Sequence, residues 1–385
     1  MAGSYGCEGE DSMKILSVVG ARPNFVKIAP LLREMAARPQ IEPVLVHTGQ
    51  HYDARMSEAF FAALAIPAPD VNLAVGSGSH ARQTAEVMTR LEPVLESVRP
   101  DLVLVVGDVN STLAATLVAV KQGIRVGHVE AGLRSFDRRM PEEINRVATD
   151  AIADELFASE ESAVHNLARE GIPAERVHFV GNVMIDALRI TRPLWQASTA
   201  LADLGLERGR RYATVTLHRP ANVDDPRQLH EIVGALHELA RHLPLIFPVH
   251  PRVRARLACE GVTWLRPSEP VPERGLVCTE PLGYLDFVAL VSGAAVVLTD
   301  SGGIQEETTI LGVPCLTLRE STERPVTVSH GTNRVIGVAP RRIVDEGLFA
   351  LAHRGPTPTA PPLWDGYAAA RIVDTLLGAA VEVAA

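Results

Sequence analysis

Charged side chains recur just after short apolar runs, where a strand would end. In VVGDVNSTLAA, Asp108 follows an apolar run and a glycine, and Asn110 or Ser111 can cap the Ala-rich helix behind it. Taken alone, Asp108 is better explained as a turn or capping residue. In VGHVEAGLRS, Glu130 ends the next apolar run. A carboxylate there is costly unless it is paired or used. Consecutive strands of one β-α-β unit cross over right-handedly, so both ends fall on one edge of the sheet. Two carboxylates in different surroundings then form a common acid–base arrangement. His128, on Glu130's face of the strand, reads as a satisfied core histidine. In RRMPEEINR, Pro141 suits the first helical position and sets Glu142 and Glu143 in the first turn. The helix dipole is a sufficient reason for one of them. Arg134, Arg138 and Arg139 stand close enough in sequence to pair with them.

A second group of residues suits an anion. In VVGARPNFVKIAP, Gly20 permits a tight turn, and Asn24 is placed to cap a helix near 24–37. Phe25, Ile28, Leu31, Leu32 and Met35 give that helix an apolar side. Arg22 and Lys27 lie at its start, where the dipole disfavours cations. A bound phosphate removes the conflict; a solvated turn is the plain alternative. Farther on, His218 and Arg219 follow YATVTLH, and His250 and Arg252 follow LIFPVH. Either histidine could touch a phosphate or move a proton. TDSGGIQEE is the clearest local pattern. A strand ends at Asp300, Ser301, Gly302 and Gly303 make the turn, and a helix beginning near Ile304 aims its N–H groups at that turn. Glu306 or Glu307 could accept hydrogen bonds from ribose hydroxyls or merely serve the dipole, and Arg319 and Arg324 follow. No H-E-x-x-H, C-x-x-C or G-x-S-x-G pattern occurs.

The elements that must hold these residues alternate between β-branched runs and helical patterns. KILSVV, EPVLVHT, DLVLVV and RVGHVE form one set, and YATVTLH, LIFPVH, AAVVLTD and CLTLR form another. This rhythm implies an α/β fold of two doubly wound, Rossmann-like domains with parallel sheets. We expect a tail at 1–12, an N-terminal domain at 13–186 and a C-terminal domain at 187–365. An amphipathic helix at 366–382 ends the chain. Ligands bind outside the carboxyl ends of such strands, so a cleft between the domains is the expected site. The chain has 385 residues, 46% hydrophobic and 22% charged, with a net charge of −9. The acidic balance argues against nucleic acid as a partner, though not against a small anion held by a local cluster. Four cysteines without paired spacing suit a reduced, cytoplasmic setting. No apolar run approaches the length of a membrane helix.

The ordered motifs GARPNFVKIAP, TGQH, GDVNSTLAA, HVEAGLRS, PEEINR, HRPANVD, PVHPR, TDSGGIQEE, TERP and HGTNRVIG resemble those of UDP-N-acetylglucosamine 2-epimerases and span about residues 14–337. The resemblance implies a glycosyltransferase-B-like arrangement, with the final helix packed on the first domain, and a homodimer. It places Arg22 and Lys27 near the substrate's diphosphate. It implies acid–base roles for Asp108, Glu130 and Glu142, and a position near the diphosphate for His218. Ser301, Gly302 and Gly303 match the phosphate-binding turn, Glu307 the ribose-binding glutamate, and Arg319 joins the substrate-binding set. The implied substrate is a UDP-sugar, and the implied reaction needs no metal or redox cofactor. UDP is eliminated to give 2-acetamidoglucal and is then added back after inversion at carbon 2. A hydrolysing epimerase that releases free N-acetylmannosamine and a glycosyltransferase of the same fold are the alternatives. Many relatives read T-R-P-E and H-R-R-E-N where this chain has Ala21–Asn24 and His218–Asn222, and Tyr52-Asp53 also departs from them. In some bacterial members those regions help bind a second, activating substrate molecule.

Overall fold

The computed structural model describes residues 12–50, 61–206, 209–258, 260–266, 269–353 and 359–384. The expected tail, except Ser12, lies outside the described residues, as do Tyr52, Asp53 and the side chains of Arg22 and Arg252. The chain divides into two compact units. One holds residues up to Leu133, Asp137–Val183 and the chain from Tyr367; the other holds Arg134–Phe136 and Met184–Gly366.

The first unit is a seven-stranded parallel sheet. Its strands are β1 (Met13–Val19), β2 (Ile41–His47), β3 (Val71–Asn72), β4 (Leu102–Val106), β5 (Arg125–Ala131), β6 (Glu155–Ala158) and β7 (Val177–Phe179), in the order β3-β2-β1-β4-β5-β6-β7. Every residue of β4, LVLVV, is buried. Such an unbroken apolar run belongs to a parallel strand covered on both faces. The order reverses between β1 and β4, which makes that gap the switch point of the sheet.

Helix α1 (Arg22–Ala36) starts before Asn24, which corrects the expected cap. Ala21 occupies the N-cap and has no side chain to offer. Asn24 reaches back from the third helical position, and its Oδ1 accepts from the N–H groups of Gly20 (3.3 Å) and Ala21 (3.0 Å). Its Nδ2 donates to the Val106 carbonyl at 2.8 Å, tying the start of α1 to the end of β4. Helices α2 (His80–Val98), α3 (Asn110–Lys121) and α4 (Pro141–Ile152) follow. Val109, not Asn110 or Ser111, is the N-cap of α3. Ser111 Oγ instead donates to Gln50 Oε1 at 2.6 Å, and Asn110 Nδ2 to Gln83 Oε1 at 3.0 Å.

The second unit carries its own parallel sheet, β10-β11-β9-β8-β12-β13-β14, with its switch point between β8 (Ala213–Thr216) and β12 (Val296–Thr299). The other strands are β9 (Pro244–Pro248), β10 (Thr263–Trp264), β11 (Gly275–Thr279), β13 (Cys315–Thr317) and β14 (Asn333–Val335). Helices α5 (Pro226–Leu239), α6 (Tyr284–Ser292), α7 (Gly302–Leu311) and α8 (Pro340–Ala352) pack on it. Among the described residues, no helix is long and apolar enough to cross a membrane.

The last helix, α9 (Ala368–Ala384), belongs to the first unit and packs on α1. Ile372, Val373 and Leu376 are buried there, Arg371 Nη1 donates to the Val180 carbonyl at 3.0 Å, and Asp374 pairs with Arg38 at 2.9 Å. Ile372→Ala removes a fully buried side chain and leaves a cavity. We expect it to destabilise the first unit by about 2–5 kcal/mol, read as a lower urea midpoint.

Candidate functional site

The switch point of the first sheet gathers most of the acidic residues singled out by sequence. Glu130 sits at a register shift where β5 pairs with β6, between Val129 and Ala131, and its φ is +72°. A left-handed backbone at a non-glycine residue costs roughly 1–3 kcal/mol, so neighbouring structure must impose it. The bulge re-aims the side chain. Its carboxylate forms an ion pair with Lys27, with the two side chains only 3% and 8% exposed. Glu130 is therefore the partner that the structure shows for Lys27. Gly107, φ +70°, turns the chain beside the pair. A Cβ there would stand 3.0 Å from Lys27 Nζ and 3.4 Å from Glu130 Oε2, and glycine spares both contacts.

Asp108 follows this turn. Arg146 Nε and Nη2 both reach its Oδ2, at 3.0 and 2.7 Å, while Arg146 Nη1 donates to Glu143 Oε2 at 2.6 Å. Asn145 Nδ2 donates to the Asp108 carbonyl at 2.9 Å. One buried guanidinium thus joins the first turn of α4 to the end of β4. Glu142, half-buried, precedes Glu143 in that turn. Of the arginines upstream, Arg139 pairs with Asp137 at 2.8 Å. Asn145 and Arg146 lie inside the PEEINR motif but do not follow a strand, so position alone does not mark them. The Glu143–Arg146 spacing, one helical turn, was the available signal. The Asp108 side chain is 26% exposed and that of Glu130 is 3%, so the two strand-end carboxylates occupy different surroundings.

The switch point of the second sheet is organised by Asp300, which is fully buried. Its carboxylate accepts from the backbone N–H groups of His218 (3.1 Å) and Arg219 (2.9 Å), from Asn222 Nδ2 (3.1 Å), and lies 2.9 Å from His218 Nδ1. Burial alone would raise its pKa, but the His218 ring and the backbone donors outweigh it and hold the carboxyl below the usual range. With Nδ1 on Asp300, the ring of His218 presents Nε2 on its other edge.

Ser301 is the N-cap of α7, which begins at Gly302, two residues before the expected start. A Cβ on Gly302 would strike the Arg324 guanidinium, so a side chain there would need the neighbouring ion pairs to move. Those pairs run in a chain: Arg324 holds Glu306 and Glu323, each at 2.6 Å, and Arg319 Nη2 holds Glu323 at 2.7 Å. Among the described residues, the buried Nη1 of Arg319 has no hydrogen-bond partner. Glu307 is buried too. Burial pushes its carboxyl up to about 8, the Tyr284 hydroxyl opposes that rise, and the charge of Glu306 adds to it. No group of three or more His, Cys, Asp or Glu suited to a metal occurs among the described residues.

Lys27→Met removes the cation paired with the buried Glu130 carboxylate. We expect a loss of about 3–5 kcal/mol in the first unit, because breaking a buried pair from one side costs far more than the pair contributes. Adding Glu130→Gln should recover much of that loss in urea unfolding; strictly additive losses would show that the pair is not coupled.

A model of the UDP-N-acetylglucosamine 2-epimerase family matches residues 33–377. The chain is 41% identical over 374 residues to a UDP-N-acetylglucosamine 2-epimerase of Methanococcus maripaludis, covering 95% of this chain and 98% of that one. It is 40% identical over 342 residues to the UDP-2,3-diacetamido-2,3-dideoxy-D-glucuronate 2-epimerase of Pseudomonas aeruginosa, covering 88% of this chain and 92% of that one. The crystal structure of the Methanocaldococcus jannaschii UDP-GlcNAc 2-epimerase in complex with UDP-GlcNAc and UDP superimposes with a TM-score of 0.84 at 38% identity, over 95% of this chain and 99% of that one. With two parallel sheets, acidic strand ends and matches of this extent, the chain belongs to the UDP-N-acetylglucosamine 2-epimerase family.

Proposed function

We propose that this protein interconverts UDP-N-acetylglucosamine and UDP-N-acetylmannosamine without net hydrolysis. The observation that carries the reading is the pair of carboxylates at the ends of adjacent strands, Asp108 and Glu130, each held by its own cation, one partly open and one buried. Epimerisation at carbon 2 needs a proton removed from one face of the sugar and delivered to the other. A carboxylate takes the carbon-2 proton while the bond from carbon 1 to the diphosphate oxygen breaks. The electron pair of the carbon–hydrogen bond becomes the double bond of 2-acetamidoglucal, and UDP leaves with the bonding pair of the carbon–oxygen bond. Re-addition of UDP, with a proton delivered to the opposite face, completes the inversion. Asp108, Glu130 and Glu142 are the acid–base candidates, with His218 near the leaving diphosphate.

The remaining assignments follow from charge and geometry. Arg22 and Lys27 lie in the first turns of α1, where an anion also meets the helix N–H groups. Ser301, Gly302 and Gly303 lead into α7 in the same way. Glu307 accepts ribose hydroxyls, and Arg319 Nη1 is a donor suited to a phosphate oxygen. Electrostatic stabilisation of the departing diphosphate is the main service that these groups render.

The protein is incubated with UDP-N-acetylglucosamine in D2O and followed by proton NMR. We expect UDP-N-acetylmannosamine carrying deuterium at carbon 2. Free N-acetylmannosamine with UDP would replace this reading by hydrolysis, and binding without exchange would end both. Asp108→Asn and Glu130→Gln should each lower exchange by roughly 100-fold or more with an unchanged circular dichroism spectrum. Full activity in either variant removes that residue from the mechanism.

We also propose a homodimer. Val120 on α3, and Ile144 and Val147 one turn apart on α4, are 36%, 40% and 41% exposed, on helices that touch each other. Sedimentation velocity should give a dimer, and Ile144→Asp with Val147→Asp should give a monomer. A wild-type monomer at micromolar concentration would refute the assembly.

A further inference from the structure

His128 and Asp150 are fully buried, and the acid–base roles assigned above use neither. His128 lies on β5 two residues before Glu130; Asp150 lies near the end of α4. His128 Nε2 is 2.8 Å from the Gly107 carbonyl oxygen, and Nδ1 is 2.6 Å from Asp150 Oδ1. Asp150 Oδ2 accepts the Gly132 N–H at 2.9 Å. A carbonyl oxygen only accepts, so Nε2 carries a proton and donates it. The Nδ1–Oδ1 contact then holds a second proton, and all three contacts are satisfied together.

The two backbone groups held this way are not ordinary ones. Gly107 immediately precedes Asp108, and Gly132 follows Glu130 by two residues. The φ values of Gly107, Glu130 and Gly132 are +70°, +72° and +80°, so both strands leave the sheet through left-handed turns. The two glycines adopt this conformation freely, whereas Glu130 persists in it only where surrounding contacts over-determine it. A Cβ on Gly132 would stand 2.9 Å from the Ala163 carbonyl carbon, so that turn is also held tightly from outside. The Gly107 N–H donates to the Val129 carbonyl at 3.0 Å, which closes the loop between the two strand ends.

We propose that His128 and Asp150 are a positioning pair that fixes the two strand-end turns, and through them the separation of the Asp108 and Glu130 carboxylates. Neither side chain touches the sugar. Their effect falls on the chemical step, because proton transfer to and from carbon 2 requires both carboxylates at their productive distance. The proposal rests on the epimerase reading, and the parent enzyme tests that reading first.

The pair makes a specific forecast. In Asp150→Asn, the amide oxygen can accept from Gly132, while the amide nitrogen donates to Nδ1 of a neutral His128 that still donates from Nε2. All three contacts survive without the charge. Asp150→Ala keeps none of the Asp150 contacts, and His128→Leu keeps neither of its own. The experiment compares kcat and KM for UDP-N-acetylglucosamine, and UDP affinity by calorimetry, in the parent and the three variants. We expect His128→Leu and Asp150→Ala to lower kcat roughly 10- to 100-fold, with KM and UDP affinity near parent values. Asp150→Asn should stay within about threefold of the parent. Unchanged kcat in Asp150→Ala overturns the proposal, and so does an Asp150→Asn variant as slow as Asp150→Ala. A loss confined to KM would place the pair in binding instead and overturn it as well. If His128→Leu does not melt cooperatively, the two Asp150 variants decide. A parent enzyme without epimerase activity removes both the reading and the proposal; an active parent with insensitive variants removes only the proposal.

Discussion

Charge set at the end of an apolar parallel strand must be compensated from within the protein, and much of this architecture follows from that constraint. The strands are buried on both faces, so their ends are poor places for an unpaired carboxylate. Glu130 is met by Lys27 from α1, Asp108 by Arg146 from α4, and Asp300 by His218 and two backbone N–H groups. Each compensation comes from an element that follows a different strand. The helices therefore have to return to the same sheet edge, which right-handed crossovers ensure. The fold and the acidic constellation are parts of one solution.

The two sheets apply this constraint differently. In the first, compensation comes from long cationic side chains, and the acids keep distinct surroundings. In the second, the acid is consumed structurally: Asp300 spends its acceptors on the backbone of His218 and Arg219 and on Asn222, and so fixes the histidine ring. The ionic chain of Arg319, Glu323, Arg324 and Glu306 braces the turn before α7. Glu307 lies beside it with a carboxyl whose burial favours the neutral form.

Much of this was legible in the residues. The β-α-β rhythm gave two parallel sheets, and the position of acids after apolar runs marked both switch points. What the residues withheld was long-range pairing. Lys27 and Glu130 lie 103 positions apart, and only the order β1-β4-β5 brings α1 to the end of β5. The left-handed backbone of Glu130 was equally hidden, because glutamate gives no sign of it and the bulge depends on the pairing with β6. The start of α1 is hidden in the sequence because its N-cap is an alanine and the capping is done from inside the helix by Asn24. His128 was recognised as a core residue, but its partner on α4 was out of reach of local spacing.

The return of α9 to the first unit has a consequence for how the molecule is made. The first unit is not contiguous: it draws chain from both sides of the second unit and is completed by α9. During synthesis, the surface of α1 that receives α9 stays uncovered until the whole second unit has been translated. The second unit, apart from the short Arg134–Phe136 segment, is one continuous stretch with its own sheet. It can fold first on the ribosome, though its sequence begins later. The order of translation and the order of completion are reversed between the two halves.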